Sequence, residues 1–184
     1  MSDQRTIHKL ATEQLSAQQL ADVRELLWAA FANDEHGGFT EEDWLHSIGG
    51  MHFLAEVGGR VVAHASVVER TLHVAGVPLR TGYVEAVATT PCLQGEGHGS
   101  ALMREASSLI ERDFDLGALG TGSQGFYERL GWQIWQGPSW VITPDGEERT
   151  PDEDGYIMVL LLPSTPAIDI EGPIACEWRP GDVW

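Results

Sequence analysis

Between Gly82 and Asp115 the chain reads strand, glycine turn, helix, and that succession limits its fold more than any other feature. "GYVEAVATT" is apolar and β-branched, as a buried strand is. "PCLQGEGHG" interrupts it with a proline and three glycines. The helix "GHGSALMREASSLIERDFD" then sets Leu102, Met103, Ala106, Leu109 and Ile110 on one face at helical spacing. "LGAL" follows as a short strand, so the unit is a β-α-β crossover, which joins parallel strands. Upstream, "MHFLAEV" and "RVVAHASVVERTLHVAG" read as strands meeting at Gly58-Gly59, a hairpin signal. Antiparallel strands leading into a crossover make a mixed sheet, and the class is α/β.

The other elements hang on this frame. Ser16 caps a helix with Leu20, Val23, Leu26, Leu27 and Ala30 on one side, and Thr40 caps a shorter one carrying Trp44, Leu45 and Ile48. "SQGFYERLG" is a short helix, "WQIWQ" a strand, "TPDG" a turn, and "YIMVLLLP" and "IACEW" late strands. At 184 residues, with no repeat or linker, one domain over residues 1–184 is expected. No apolar run spans a bilayer or follows the N-terminal charges, and Cys92 and Cys176 read as free thiols. A cytoplasmic protein is the expectation.

Two glycine loops compete to hold a phosphate. "GTGSQGFY" fits G-x-G-x-x-G through Gly120, Gly122 and Gly125. Its helix ends at Gly131, and the acid in register, around Asp145, falls in the "TPDG" turn, so the dinucleotide reading is rejected. "QGEGHGSAL" follows a strand and opens the most regular helix. Gly95, Gly97 and Gly99 leave backbone N–H groups uncovered at the positive end of the helix dipole. The glycines alone fit a pyrophosphate seat and a plain helix-entry turn equally.

The pattern Gln-x-x-Gly-x-Gly from Gln94 to Gly99, between strand and helix, resembles the acetyl-CoA site of the GNAT acetyltransferases. "FTEEDWLHSIGGMH", "GYVEAVA", "QGPSWV", "RTPDEDG" and the terminal "CEWRPGDVW" resemble, in order, the aminoglycoside 2′-N-acetyltransferases of that family. The resemblance implies the GNAT fold, acetyl-CoA as acyl donor, and a homodimer. It implies that Gln94, Gly95, Gly97, Gly99 and Ser100 hold the pyrophosphate. The pantetheine would pair with the main chain of Val87, Ala88 and Thr89, and a backbone N–H, at Val87, would stabilise the oxyanion.

Glu85 stands as a carboxylate in an apolar strand, which costs free energy unless it is paired or hydrated. By resemblance it faces the acceptor and acts through water as base; the plain alternative is a salt bridge at a strand edge. Tyr127 is the implied acid for the departing thiolate, since a phenol stays protonated at neutral pH. Asp182 and the Trp184 carboxylate, with Asp43, Glu153 and Asp154, are the implied contacts to the acceptor's amines, and the base is open between Glu85 and the Trp184 carboxylate.

Eleven Lys and Arg against 28 Asp and Glu give a net charge of −17, which repels nucleic acid and anionic membranes and attracts a cationic acceptor. No H-E-x-x-H or Cys/His cluster appears, so no metal is expected. With no G-x-S-x-G and no nucleophilic cysteine, direct transfer in a ternary complex is expected over an acyl-enzyme. Two stretches depart from the family pattern: "FANDEHGGFTEED", around Glu35, is longer, and "LGALGTGSQGFY", around Gly122, is shorter and glycine-rich. They leave the acceptor open between deoxystreptamine aminoglycosides with a 2′-amine and kasugamycin. The rival readings are acetylation of another polyamine or amine metabolite, and a non-catalytic acyl-CoA sensor.

Overall fold

The computed structural model describes residues 5–32 and 38–184; Glu35 and the middle of the first departing stretch, residues 33–37, lie outside the described residues. Two compact units emerge, one formed by residues 1–68 and 84–106, the other by 69–83 and 107–184.

In the first unit, β1 (Thr6–Ala11), β2 (Met51–Val57) and the opening of β3 (Arg60–Val74) form an antiparallel ladder. The β2–β3 turn is the expected glycine pair, with φ +57° at Gly58 and +77° at Gly59, a conformation in which side chains other than glycine's are disfavoured. Helix α1 (Ala17–Ala30) starts in a reciprocal cap: Ser16 Oγ accepts from Gln19 N–H at 3.1 Å, and Ser16 N–H donates to Gln19 Oε1 at 3.0 Å. Its Val23, Leu26 and Leu27 are buried in one cluster with Leu54 and Val61. Helix α2 (Glu41–His46) is capped by Thr40 as expected, and Trp44 is buried. It ends before Ile48 and leaves Leu45 65% exposed, so only part of its expected apolar face packs.

β4 (Val77–Thr89) and α3 (His98–Asp113) supply residues to both units, as β3 does. In the second unit, β4 runs parallel to β5 (Leu116–Gly120) from Thr81↔Leu116 to Tyr83↔Ala118, the partners of the expected crossover. Close packing there needs glycines: a Cβ at Gly82 would lie 2.7 Å from Ile110 Cγ1. β9 (Ile157–Leu161) pairs antiparallel with β5 and with β6 (Gln133–Ile134). β10 (Ile174–Glu177) lies antiparallel to the end of β3 and parallel to β7 (Ser139–Thr143). Helix α4 (Gln124–Glu128) is five residues long, too short for a dinucleotide unit.

The structure adds strands that periodicity misses. β1 has a half-buried, irregular pattern, and the β7–β8 hairpin ends in the wholly exposed β8 (Gly146–Arg149). "WQIWQ" contracts to the two residues of β6, because Trp132 and Trp135 turn inward, 2% and 1% exposed. Both cysteines are free. Among the described residues no helix is long and apolar enough to cross a membrane.

Candidate active site

The loop after β4 takes the form a phosphate seat requires. Gly95 and Gly97 have φ of +84° and +81°, and a Cβ at either would meet nothing within 4 Å. Ala101 N–H is bonded to Gly97 C=O at 3.1 Å, which makes Gly97 the cap of α3. The N–H groups of the intervening turn therefore lack helical acceptors and lie at the positive end of a 16-residue helix. Gln94 is exposed, Gly99 and Ser100 half-buried in the first turn, and His98 is 7% exposed with Nε2 3.4 Å from Glu96 Oε2. Arg5 Nη1 donates to Gly97 O at 3.1 Å and steadies the loop. These residues fit a pyrophosphate.

In β4, Glu85, Val87 and Thr89 are half-buried and Ala88 is buried. Ala86 has φ +52°, a left-handed residue inside a strand, although it is not glycine. Its carbonyl accepts from His64 Nδ1 at 2.7 Å, and the Glu85 carbonyl accepts from Ser66 Oγ at 3.2 Å. Asp43 in the same unit closes the cap of α2, its Oδ2 accepting from Thr40 N–H and Oγ1, both at 2.8 Å.

The second unit holds the other expected residues. Tyr127 is 7% exposed, with Phe126 edge-on at 4.8 Å between ring centres, and burial pushes its phenol above the ordinary value. The protonated form of Tyr127 is thereby favoured. Trp184 is 4% exposed. Its Nε1 donates to Thr150 Oγ1 at 3.1 Å, its backbone N–H to Asp182 Oδ1 at 3.1 Å, and Arg179 Nη2 donates to its terminal O at 3.3 Å. Arg70 Nη2 holds the preceding carbonyl, at Val183, at 2.8 Å. A Cβ at Gly120 would stand 3.6 Å from both the Trp184 carbonyl carbon and Tyr83 Oη, so "GTGSQG" begins with a glycine packed close to Trp184.

Asp154 is bound into its own unit. Arg149 clasps it through Nη1 at 3.1 Å and Nη2 at 2.7 Å, and Ser139 donates from N–H and Oγ at 2.9 and 2.8 Å. These donors, the Arg149 bond first, hold its carboxyl well below the usual carboxylate range. Glu153 is half-buried in the same short turn. Cys176 Sγ lies 3.2 Å from Val183 O, and burial pushes its thiol up to about 11, unlike an activated nucleophile. Among the described residues no group of three metal-ligating side chains occurs.

Sequence reasoning missed the cations at the chain end. Arg70 and Arg179 lie 4.6 and 5.6 Å from the Tyr83 ring centre, and Arg179 sits within the quoted terminal string. It also missed His64, whose place in an alternating strand gives no local sign of its partner.

The fold and the loop define the class. Residues 12–135 match the family model described as acetyltransferase (GNAT) domain, and the chain belongs to the GNAT acetyltransferase family. Over 183 residues, 97% of this chain and 92% of the relative, it is 38% identical to an aminoglycoside 2′-N-acetyltransferase of Mycolicibacterium fortuitum. Solved structures with the same fold include a GNAT family acetyltransferase from Brucella melitensis in complex with acetyl-CoA, at TM-score 0.63 and 20% identity, covering 94% of this chain and 96% of that one. Another is a GNAT family N-acetyltransferase from Escherichia coli in complex with CoA, at TM-score 0.68 and 15% identity, covering 96% and 91%. The resemblance and fold class read from the sequence are both borne out.

Proposed function

We propose that this protein, as one acetyltransferase domain, transfers the acetyl group of acetyl-CoA to the 2′-amine of an aminoglycoside and so confers resistance to it. The observation that carries the reading is the similarity to the Mycolicibacterium enzyme, which runs through the chain. The burial of Trp184, within the last of the strings that carry the resemblance, is consistent with it.

Acetyl-CoA supplies an activated acyl group as a thioester. The residues from Gln94 to Ser100 bind its pyrophosphate through backbone N–H groups, and the main chain of Val87 to Thr89 takes the pantetheine. Val87 N–H stabilises the oxyanion. Glu85 removes the amine's proton through water, and Tyr127 returns one to the thiolate. The Trp184 carboxylate and Asp182 hold the acceptor's ammonium groups, with Glu153, Asp43 and Asp154 adding negative field. The acceptor is a deoxystreptamine aminoglycoside with a 2′-amine or kasugamycin, and the enzyme works as a cytoplasmic homodimer without a metal.

The test is thiol release by purified protein with 2′-amine aminoglycosides, matched 2′-hydroxyl compounds and kasugamycin. Turnover confined to 2′-amines supports the reading. Acetyl-CoA binding without turnover on any of them overturns it and favours a different amine or an acyl-CoA sensor.

A further inference from the structure

His52 and His64 are both fully buried, and neither has a part in the chemistry above. They form a hydrogen-bonded chain: Thr12 Oγ1 to His52 Nε2 at 2.8 Å, His52 Nδ1 to His64 Nε2 at 2.9 Å, and His64 Nδ1 to Ala86 O at 2.7 Å. One proton arrangement satisfies it with neutral rings. A carbonyl only accepts, so His64 carries its hydrogen on Nδ1 and leaves Nε2 bare. His52 must then donate from Nδ1 and accept at Nε2 from the Thr12 hydroxyl, for which Nε2 at 2.8 Å is a nearer acceptor than Gly50 O at 3.3 Å. Thr12 Oγ1 accepts in turn from Gly49 N–H at 2.9 Å. Burial favours neutrality, pushing His52 down to about 4 and His64 to about 3. Because the chain ends on a carbonyl, which takes no proton at these pH values, it orients and does not relay.

What it orients is the peptide between Ala86 and Val87. Ala86 is left-handed, and no peptide among the described residues is cis. In a planar trans peptide the C=O and the next N–H point in opposite directions. With the Ala86 carbonyl turned to buried His64, Val87 N–H points the other way. Ser66 is two residues from His64 on β3, on the same strand face, and holds the Glu85 carbonyl. Two successive carbonyls of the kinked strand are thus held by side chains.

We propose that His64, backed by His52 and Thr12, is a positioning residue that sets the Ala86 kink and aims Val87 N–H at the thioester carbonyl. The inference rests on the acetyl-transfer reading, and its test has an arm that needs no acceptor. His64→Leu removes the donor, and His64→Asn keeps an amide N–H near the position of Nδ1. In the full-length protein, the Val87 amide proton is followed by NMR as CoA is replaced with acetyl-CoA. A downfield shift is expected in wild type and in His64→Asn, and its loss in His64→Leu. With a competent acceptor, kcat of His64→Leu is expected to fall about 10- to 100-fold while the Kd for CoA stays within about threefold, since the donor acts on charge that develops in the transition state. His64→Asn should recover most of that loss.

An unmoved Val87 amide in wild type, an equal shift in His64→Leu, or an unchanged kcat in that variant would overturn the proposal. Should His64→Leu fail to fold, imidazole nitrogen shifts of the wild-type protein decide: two neutral Nδ1–H rings support the chain, and an Nε2–H tautomer at His64 overturns it. Absence of turnover on every amine would sink the function while leaving the Val87 shift to be read.

Discussion

Replacing the Trp184 carboxylate by a primary amide, through intein-mediated ligation, tests whether the chain end does chemistry or only packs. The change is nearly isosteric. The indole keeps its bond to Thr150 and its burial, and the backbone N–H keeps Asp182. Arg179 Nη2, at 3.3 Å, still finds a carbonyl oxygen to accept its hydrogen bond. Only the negative charge goes, and a partly exposed ion pair contributes less than about 1 kcal/mol. Urea unfolding should therefore barely change. Activity should respond differently, because a hydrogen bond from an ammonium group to a carboxylate contributes about 1.5–3 kcal/mol. That corresponds to a loss of roughly 10- to 150-fold in kcat/KM for the aminoglycoside at saturating acetyl-CoA. A loss carried by KM would assign the carboxylate to binding, and one carried by kcat to the chemical step. A kcat/KM within about twofold of the native protein, in a normally stable amide, would mean that the Trp184 carboxylate does not act on the acceptor.

Deleting Trp184 altogether should also destabilise the fold by about 3–5 kcal/mol, measured by chemical denaturation, because it empties a buried indole site. Gly97→Ala meets no steric obstacle but forces a left-handed alanine at φ +81°; about 1–2 kcal/mol of stability should be lost. Calorimetry of the same variant should show acetyl-CoA binding weakened by about tenfold, as the Cβ crowds the phosphate seat. His52 and His64 have folded pKa values below the unfolded 6.5, so the unfolded state binds more protons in acid. Stability should therefore be full above about pH 6.5 and fall as pH drops toward about 4 for His52 and about 3 for His64, by up to about 1.4 kcal/mol per pH unit for each histidine. A double variant lacking both imidazoles should flatten that slope in pH-resolved thermal melts.

Local signals were legible where the physics is local. Ser16 and Thr40 announce their helices because a cap is satisfied within its own turn. The face of α3 could be read from Leu102 to Ile110 because helical spacing is fixed by geometry. The same locality applies to Asp43: Thr40-x-x-Asp43 has capping-box spacing, so part of Asp43's hydrogen bonding is taken up by its own helix. Asp154 shows the other kind of limit. Arg149 is close in sequence, but the Ser139 donors arrive across a hairpin whose exposed outer strand has no apolar pattern. The link from Thr12 through His52 and His64 to Ala86 joins four separated segments, and a left-handed alanine leaves no mark in the sequence. Arg70 and Arg179 were illegible as partners of the chain end for a related reason, since net charge says nothing about where the few cations go.

The regiochemistry of acetyl transfer is the most direct measure of this protein's activity. Purified protein is given acetyl-CoA with pairs of aminoglycosides that differ only in a 2′-amine or 2′-hydroxyl, with kasugamycin alongside, and thiol release is followed. Release with 2′-amine acceptors and none with their 2′-hydroxyl partners is the expected result. Equal release from both members of each pair, or none from any acceptor by protein that binds acetyl-CoA, would contradict it.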